Sequence, residues 1–566
     1  MRCNVQSNKI HLFFLFYLLY FQLIDTEAVN FTDVTEKVGI KFRHQNGYSE
    51  DHFIPETLGA GIAVFDYDND GWIDLYFVNS GYIKEPYKNR PNSLYKNLGD
   101  GTFGNVTDIS GVGDTGFGIG VTVGDYDNDG HPDLYVTNMG PNVLYRNNGD
   151  STFTDTTRLA GVGYEGCSTG CAFFDFDRDG DLDLYVANYV PIEEINQITN
   201  KDGYKNPIFY QGARDVLYQN EGNGTFSEVD SSRFTDSKEK MRLFKDARGL
   251  GVVATDFDRD WWTDVYIAND KSKNLYFQHN GFEDINLPIF TESATTVGIG
   301  YDGFGEALAG MGIAVGDYNN DCNLDIFVTN FAYEYNNLYR CDPDGTGKLF
   351  YFDDTTTARL GDPSFPYVGW GTTFFDYDND GDLDLFIANG HIMEDAELNS
   401  NQLTYAQPDQ LFENQLIESE TAYFVDISQK SGSYFSQRRV GRGAVHLDYD
   451  NDGDLDLLIS NSGQAPILLR NNGGNQRNWV SVTLVGQAIG VKLKIQSGDQ
   501  TQIRQVDSSA SYCSVNDLRI HFGVGSDKII DQLEIWWDED CYQKLTDVEA
   551  RQHLVISREL TGLKTK

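Results

Sequence analysis

Asp66-Tyr67-Asp68-Asn69-Asp70-Gly71-Trp72-Ile73-Asp74 is the first of seven stretches written in one register. The others are DYDNDGHPD (125–133), DFDRDGDLD (175–183), DFDRDWWTD (256–264), DYNNDCNLD (317–325), DYDNDGDLD (376–384) and DYDNDGDLD (448–456). They are called loops 1 to 7 below. Five residues before each first aspartate stands a glycine: Gly61, Gly120, Gly170, Gly251, Gly312, Gly371 and Gly443. Five residues after each last aspartate stands an asparagine: Asn79, Asn138, Asn188, Asn269, Asn330, Asn389 and Asn461. Self-similarity of this kind marks a repeat architecture.

Each unit reads as four short strands: a glycine-rich run, the aspartate hairpin, a β-prone run such as Leu134-Tyr135-Val136-Thr137, then two more around Leu144-Tyr145 and Phe153–Thr157. Four-stranded units arranged radially make a propeller. The recurrent glycine belongs on the innermost strand, where a side chain would block the approach of neighbouring backbone. The seventh unit runs from Leu468-Leu469 into Asn478-Trp479-Val480 without a fourth strand. Phe31-Thr32-Asp33-Val34-Thr35, near the other end, resembles the fourth-strand text Phe153-Thr154-Asp155-Thr156-Thr157. The predicted fold is therefore all-β: a closed seven-bladed β-propeller over 29–473, its last blade completed by the first strand, followed by a small β-rich domain over 474–566.

D-x-D-x-D-G-x-x-D supplies hard oxygen ligands at positions 1, 3, 5 and 9, a backbone carbonyl at 7, and a glycine at 6 for the sharp turn. A turn alone needs one or two such residues, not four mutually repelling carboxylates. The predicted calcium ligands are Asp66, Asp68, Asp70 and Asp74; Asp125, Asp127, Asp129 and Asp133; Asp175, Asp177, Asp179 and Asp183. Those of the second half are Asp256, Asp258, Asp260 and Asp264; Asp317, Asn319, Asp321 and Asp325; Asp376, Asp378, Asp380 and Asp384; Asp448, Asp450, Asp452 and Asp456. Loop 4, with Trp261 for glycine, and loop 5, with Asn319 for aspartate and Cys322 for glycine, are expected to be weaker.

The blades resemble the FG-GAP repeats of integrin α-subunits, and more closely the VCBS-type repeats of the cartilage acidic protein family. Asn478-Trp479-Val480-Ser481-Val482, His521-Phe522-Gly523-Val524-Gly525 and Leu533-Glu534-Ile535-Trp536-Trp537 are similar to the ASPIC/UnbV domain that follows such propellers. The resemblance implies an extracellular, matrix-associated calcium-binding protein of the adhesion or receptor-interaction type.

Composition agrees with that compartment. Lys+Arg 43 against Asp+Glu 86 gives a net charge of −43, which argues against nucleic acid or an anionic membrane surface as partner. Residues 1–28, with an apolar run Ile10–Ile24 and then Thr26-Glu27-Ala28, read as a signal peptide; no later stretch reads as a membrane span. Beyond Cys3, six cysteines remain, an even set that reads as disulfides. The hairpin geometry pairs Cys322 with Cys341, and elimination pairs Cys513 with Cys541; the pairing of Cys167 and Cys171 stays open, since an extended strand holds residues four apart too far from each other to bridge. Asn30, Asn105 and Asn223 head glycosylation sequons. Gly166-Cys167-Ser168-Thr169-Gly170 fits G-x-S-x-G but leads into an aspartate loop rather than a strand-to-helix elbow, so a binding protein is expected, with a calcium-dependent extracellular hydrolase as the alternative. Long connections at 80–93, 189–216 and 390–410 gather opposite the aspartate loops and are the expected face for an extracellular protein or matrix ligand.

Overall fold

A computed structural model describes residues 29–197, 203–230, 247–282, 289–343, 348–399 and 403–558. The expected signal segment, 1–28, lies outside them. Seven four-stranded antiparallel units follow one another along the chain. In blade 1 the strands are Ile62–Phe65, Asp74–Phe77, Ser93–Asn97 and Phe103–Asn105, and the aspartate loop joins the first two. Blades 2 and 3 are additionally stitched edge to edge, Glu165–Cys167 pairing with Met139–Pro141.

The ring closes as the sequence predicts. Asn30–Asp33 pairs antiparallel with the third strand of blade 7, Asn30 opposite Asn472 and Asp33 opposite Leu469. Phe31 sits under the sheet between Tyr377 and Phe435, and the Val34 amide donates to the Leu468 carbonyl. The innermost strands touch in sequence around the axis, with that of blade 7 returning to that of blade 1. A Cβ at Gly312 would overlap the Trp370 carbonyl of the next blade, and one at Gly371 would overlap the Arg442 carbonyl. The recurrent glycine is thus required by backbone packed on backbone.

Beyond Asn472 the chain builds a two-sheet sandwich. One sheet orders Ile520–Gly525, Asn478–Val485 and Gln552–Ser557, the last parallel to its neighbour. The other orders Gln500–Gln505, Lys492–Ser497, Ile529–Trp536 and Tyr542–Glu549. Val480, Val482, Leu493, Ile495, Phe522, Leu533, Ile535 and Trp537 fill the space between them.

Between the two sheets the chain leaves the sandwich and enters the ring's axis, an arrangement the sequence reading missed. Ser508 Oγ donates to the Phe173 carbonyl of blade 3, and the Ser508 carbonyl accepts from Thr122 of blade 2. Ser511 pairs with Ile313 of blade 5, and its hydroxyl accepts from the Thr372 amide of blade 6. Ser514 Oγ accepts from the Ile62 amide of blade 1. Tyr512 packs edge-on against Trp370 at 4.8 Å. The small residues of Asp507-Ser508-Ser509-Ala510-Ser511 were the available signal, since a narrow channel lined by backbone donors accepts little else.

All six cysteines of the described chain are free thiols, which corrects both predicted disulfides. Cys513 lies in the axial segment, its thiol 3.7 Å from the Leu250 carbonyl, whereas Cys541 lies in the hairpin leading into the outer strand Tyr542–Glu549 of the sandwich. Elimination failed because it took the C-terminal module for one compact body. Cys322 is half-buried in its loop and Cys341 is buried at the end of the third strand, but the two are not bonded.

Candidate metal centres

Each aspartate loop is a cage of backbone amides closed on two carboxylates. In loop 1, Asp66 accepts from the Asp70 and Gly71 amides at 2.9 and 2.7 Å, and Asp70 accepts from Trp72 at 3.0 Å. Asp74 accepts from Tyr67 at 3.1 Å and from Asn97, on the third strand, at 2.7 Å. The position-6 residue takes a left-handed turn throughout: φ is 87° at Gly71 and 90° at Gly453, but also 73° at Trp261 and 66° at Cys322. Loops 4 and 5 therefore keep the turn at the cost of a conformation that side chains resist.

The remaining oxygens converge. One oxygen from each of Asp66, Asp68 and Asp70 lies within 4.8 Å of the others, as in Asp125, Asp127 and Asp133; Asp175, Asp177 and Asp183; Asp256, Asp258 and Asp260; and Asp376, Asp378 and Asp384. Position 9 is thus both a scaffold group, holding backbone amides, and a potential donor. The position-3 carboxylates of loops 1, 2 and 7 each keep a buried oxygen, Oδ1 of Asp68, Asp127 and Asp450, with no hydrogen-bond partner. Two position-7 oxygens, Oδ1 of Asp382 and Asp454, are in the same state, and sequence reasoning had counted only a backbone carbonyl there. A buried carboxylate oxygen left without donors is costly unless a cation meets it. The oxygen-only donor set fits a hard divalent cation.

Burial drives several of these carboxyls, Asp66, Asp125 and Asp317 among them, up from their ordinary range, and the neighbouring aspartates push the same way. Desolvation lifts Asp74 to about 8 and Asp175 to about 6. In loop 6, buried under the C-terminal sandwich, desolvation reinforced by Asp376 and Asp378 lifts Asp378 to about 7 and Asp380 to about 8, respectively. Cationic side chains offset part of this repulsion. Lys96 pairs with Asp68 and Asp70 of loop 1, Arg477 with Asp378 and Asp380 of loop 6, and Arg470 with Asp450 and Asp452 of loop 7.

Two further rings of residues bind loop to loop, and sequence reading overlooked both. At position 4, Asn69 donates to the Gly130 carbonyl, Asn128 to Gly180, Asn320 to Gly381, Asn379 to Gly453, and Asn451 back to Gly71. Arg178 and Arg259 fill the two remaining links, reaching Trp261 and Asn323. The second ring is an asparagine three residues after the third-strand leucine. Asn97, Asn147, Asn220, Asn414 and Asn471 each donate to the position-2 carbonyl of the preceding loop, Tyr449, Tyr67, Tyr126, Tyr318 and Tyr377. His279 and Cys341 stand in its place in blades 4 and 5, the blades with degenerate loops.

On the opposite face the three long connections converge on the axis. Ile83, Ile192, Ile195, Tyr204, Tyr210, Ile392, Met393 and Leu403 share one apolar cluster with Tyr512 and Cys513, roofing a cavity of about 210 Å³. Tyr87 (78% exposed), Ile208 and Phe209 remain outside that cap. Ser168 of the G-x-S-x-G stretch is buried in the inner strand of blade 3, hydrogen-bonded to Asn142 and Asn188. No helix among the described residues is long and apolar enough to cross a membrane.

Comparison with known families agrees with this architecture. A profile described as FG-GAP-like repeat matches residues 66–136, 125–186, 256–328 and 317–387, and one described as ASPIC and UnbV matches residues 484–561. The chain thus carries FG-GAP-like repeats followed by a segment that matches the ASPIC and UnbV module. It is similar to cartilage acidic protein 1 of Xenopus tropicalis, 24% identical over 53% of this chain and 43% of the relative. The human protein of that name is 24% identical over 49% and 39%. The match thus spans less than half the length of these relatives. Among solved structures, an Agrocybe aegerita lectin described as recognising non-reducing terminal N-acetylglucosamine is 16% identical, with a TM-score of 0.36 over 65% of this chain and 79% of its own.

Proposed function

We propose that this chain is a secreted, glycosylated calcium-binding propeller that serves as an adhesion or receptor-interaction module of the extracellular matrix. The observation that carries the reading is the set of buried position-3 carboxylate oxygens, on Asp68, Asp127 and Asp450, that lack any hydrogen-bond donor. Loops 1, 2, 3, 6 and 7 keep all four aspartates and the glycine and would hold the ion; loop 5 would bind it more weakly. Calcium bound there screens the carboxylates from one another and locks each hairpin. The names of the relatives support an extracellular setting. The partner would meet the face carrying 80–93, 189–216 and 390–410, where Tyr87, Ile208 and Phe209 stand clear of the axial cap.

Calorimetry of the secreted protein tests the metal. Extracellular calcium modules bind with dissociation constants of about 10⁻⁴–10⁻³ M, and an ion bound only to the folded state stabilises it. With five sites at about ten times their dissociation constant, each adds roughly RT ln 11, or about 1.4 kcal/mol, a total of about 7 kcal/mol. Chelation should lower the melting temperature by many degrees. Identical transitions in chelator and in millimolar calcium would end the calcium reading.

A further inference from the structure

Loop 4 differs from its sisters in what already meets its first aspartate. The Lys492 ammonium, from the opening residue of the module strand Lys492–Ser497, forms an ion pair with Asp256 Oδ2. It also lies 4.1 Å from the centre of the Trp261 ring. Asp256 is buried, and the Trp261 amide donates to the same carboxylate at 2.9 Å. In loops 1, 6 and 7 the neighbouring cations reach positions 3 and 5 and leave position 1 to backbone amides. Only in loop 4, among the described ion pairs, does a cation sit on position 1.

The substitution that degrades loop 4 as a metal loop builds this contact. Trp261 replaces the turn glycine and takes φ of 73°, a conformation a bulky residue adopts only where its surroundings impose it. Its indole face then covers the ammonium, an arrangement favoured by the ring quadrupole. Arg178 of loop 3 clamps the other side. It donates to the Trp261 and Asp260 carbonyls at 2.9 and 3.0 Å, stacks 3.8 Å over Trp262, and pairs with Glu539 of the module at 3.1 Å.

We infer that loop 4 is a socket for the Lys492 ammonium rather than a metal site. It latches the C-terminal module to the ring, and the protein's calcium complement is made without it. The inference rests on the calcium reading of the other loops, and the experiment separates the two. Calcium per full-length molecule is counted by native mass spectrometry, and melting is followed with and without chelator, for wild type, Asp256→Asn, Lys492→Met and the double variant. Asp256→Asn should carry as many calcium ions as wild type. In chelator, where calcium plays no part, each single variant should melt several degrees lower, and the double variant no lower than the worse single. An Asp256→Asn protein with one calcium fewer, or additive losses in the double variant, would overturn the socket. If Asp256→Asn is not secreted, Lys492→Met melting like wild type in chelator would do the same. A wild-type protein carrying no calcium at all would instead sink the calcium reading, leaving the socket to be judged by the coupling.

Discussion

Phe31 stands three residues into the described chain, where a substitution would ordinarily cost within about 0.5 kcal/mol. Here its ring is 2% exposed and lies 6.2 and 6.3 Å from the rings of Tyr377 and Phe435, on the strand that closes the propeller. Replacement by alanine removes the transfer energy of a buried benzyl group and leaves a cavity that neighbouring sheets cannot easily fill, typically about 3–5 kcal/mol. The strand lies at the outer rim and can relax inward, so the lower end, about 3 kcal/mol, applies; that is roughly a 150-fold change in the folding equilibrium. Urea unfolding of Phe31→Ala in saturating calcium, followed by tryptophan fluorescence, should show a clearly lower midpoint than wild type. The control is Phe304→Ala, since Phe304 is 85% exposed and should change nothing. Because a chain of this size can unfold in more than one step, the first transition is the one to read. Equal midpoints for the two variants would refute ring closure by the N-terminal strand.

Two other outcomes follow from the structure. Asp215 is buried, accepts from the Asn188 amide and the Tyr185 hydroxyl, and desolvation lifts its carboxyl to about 7. The folded state then keeps a proton that the unfolded state releases near pH 4, so stability falls as pH rises through about 4 to 7, by at most about 4 kcal/mol. Asp215→Asn, which restores the asparagine found at this place in blades 1, 2, 4 and 5 as Asn92, Asn142, Asn274 and Asn336, should flatten the melting-versus-pH curve over that range; an unchanged slope would count against the argument. A chain ending at residue 473 loses the axial segment that bonds with blades 1, 2, 3, 5 and 6. It should be secreted poorly or melt far below the full-length protein, and a propeller melting normally without the module would show that the axial insertion is dispensable.

The seven-fold repeat, the four-strand unit, the crowded glycines and the strand borrowed from the other end were all legible, because each depends on short-range pattern. Alternating apolar residues set the strands, D-x-D-x-D-G sets a hairpin, and a missing fourth strand in unit 7 with a spare one near residue 31 admits one completion. The position-4 asparagines were also in plain view, yet their role was not, since the carbonyl each one meets belongs to another loop, 52 to 74 residues away for four of them and 380 for Asn451. Asn128 looks like any turn asparagine until Gly180 is seen beside it.

What lay beyond reach was where segments go once the ring exists. The run from Asp507 to Ser514 carries no strand or helix signal of its own. Its conformation is imposed by unpaired amides and carbonyls on the inner strands, which exist only after the blades have assembled. The same holds for the cysteines: pairing was argued from chain position, while burial in the axis separated Cys513 from the partner assigned to it. Lys492 reads as one charged residue on a surface strand, and only docking of the module brings it onto Asp256. Local pattern determines which elements form, because backbone and side-chain preferences act over a few residues. Which distant groups then meet is decided by the closed ring, whose channel and rim have a shape and charge that no single repeat contains.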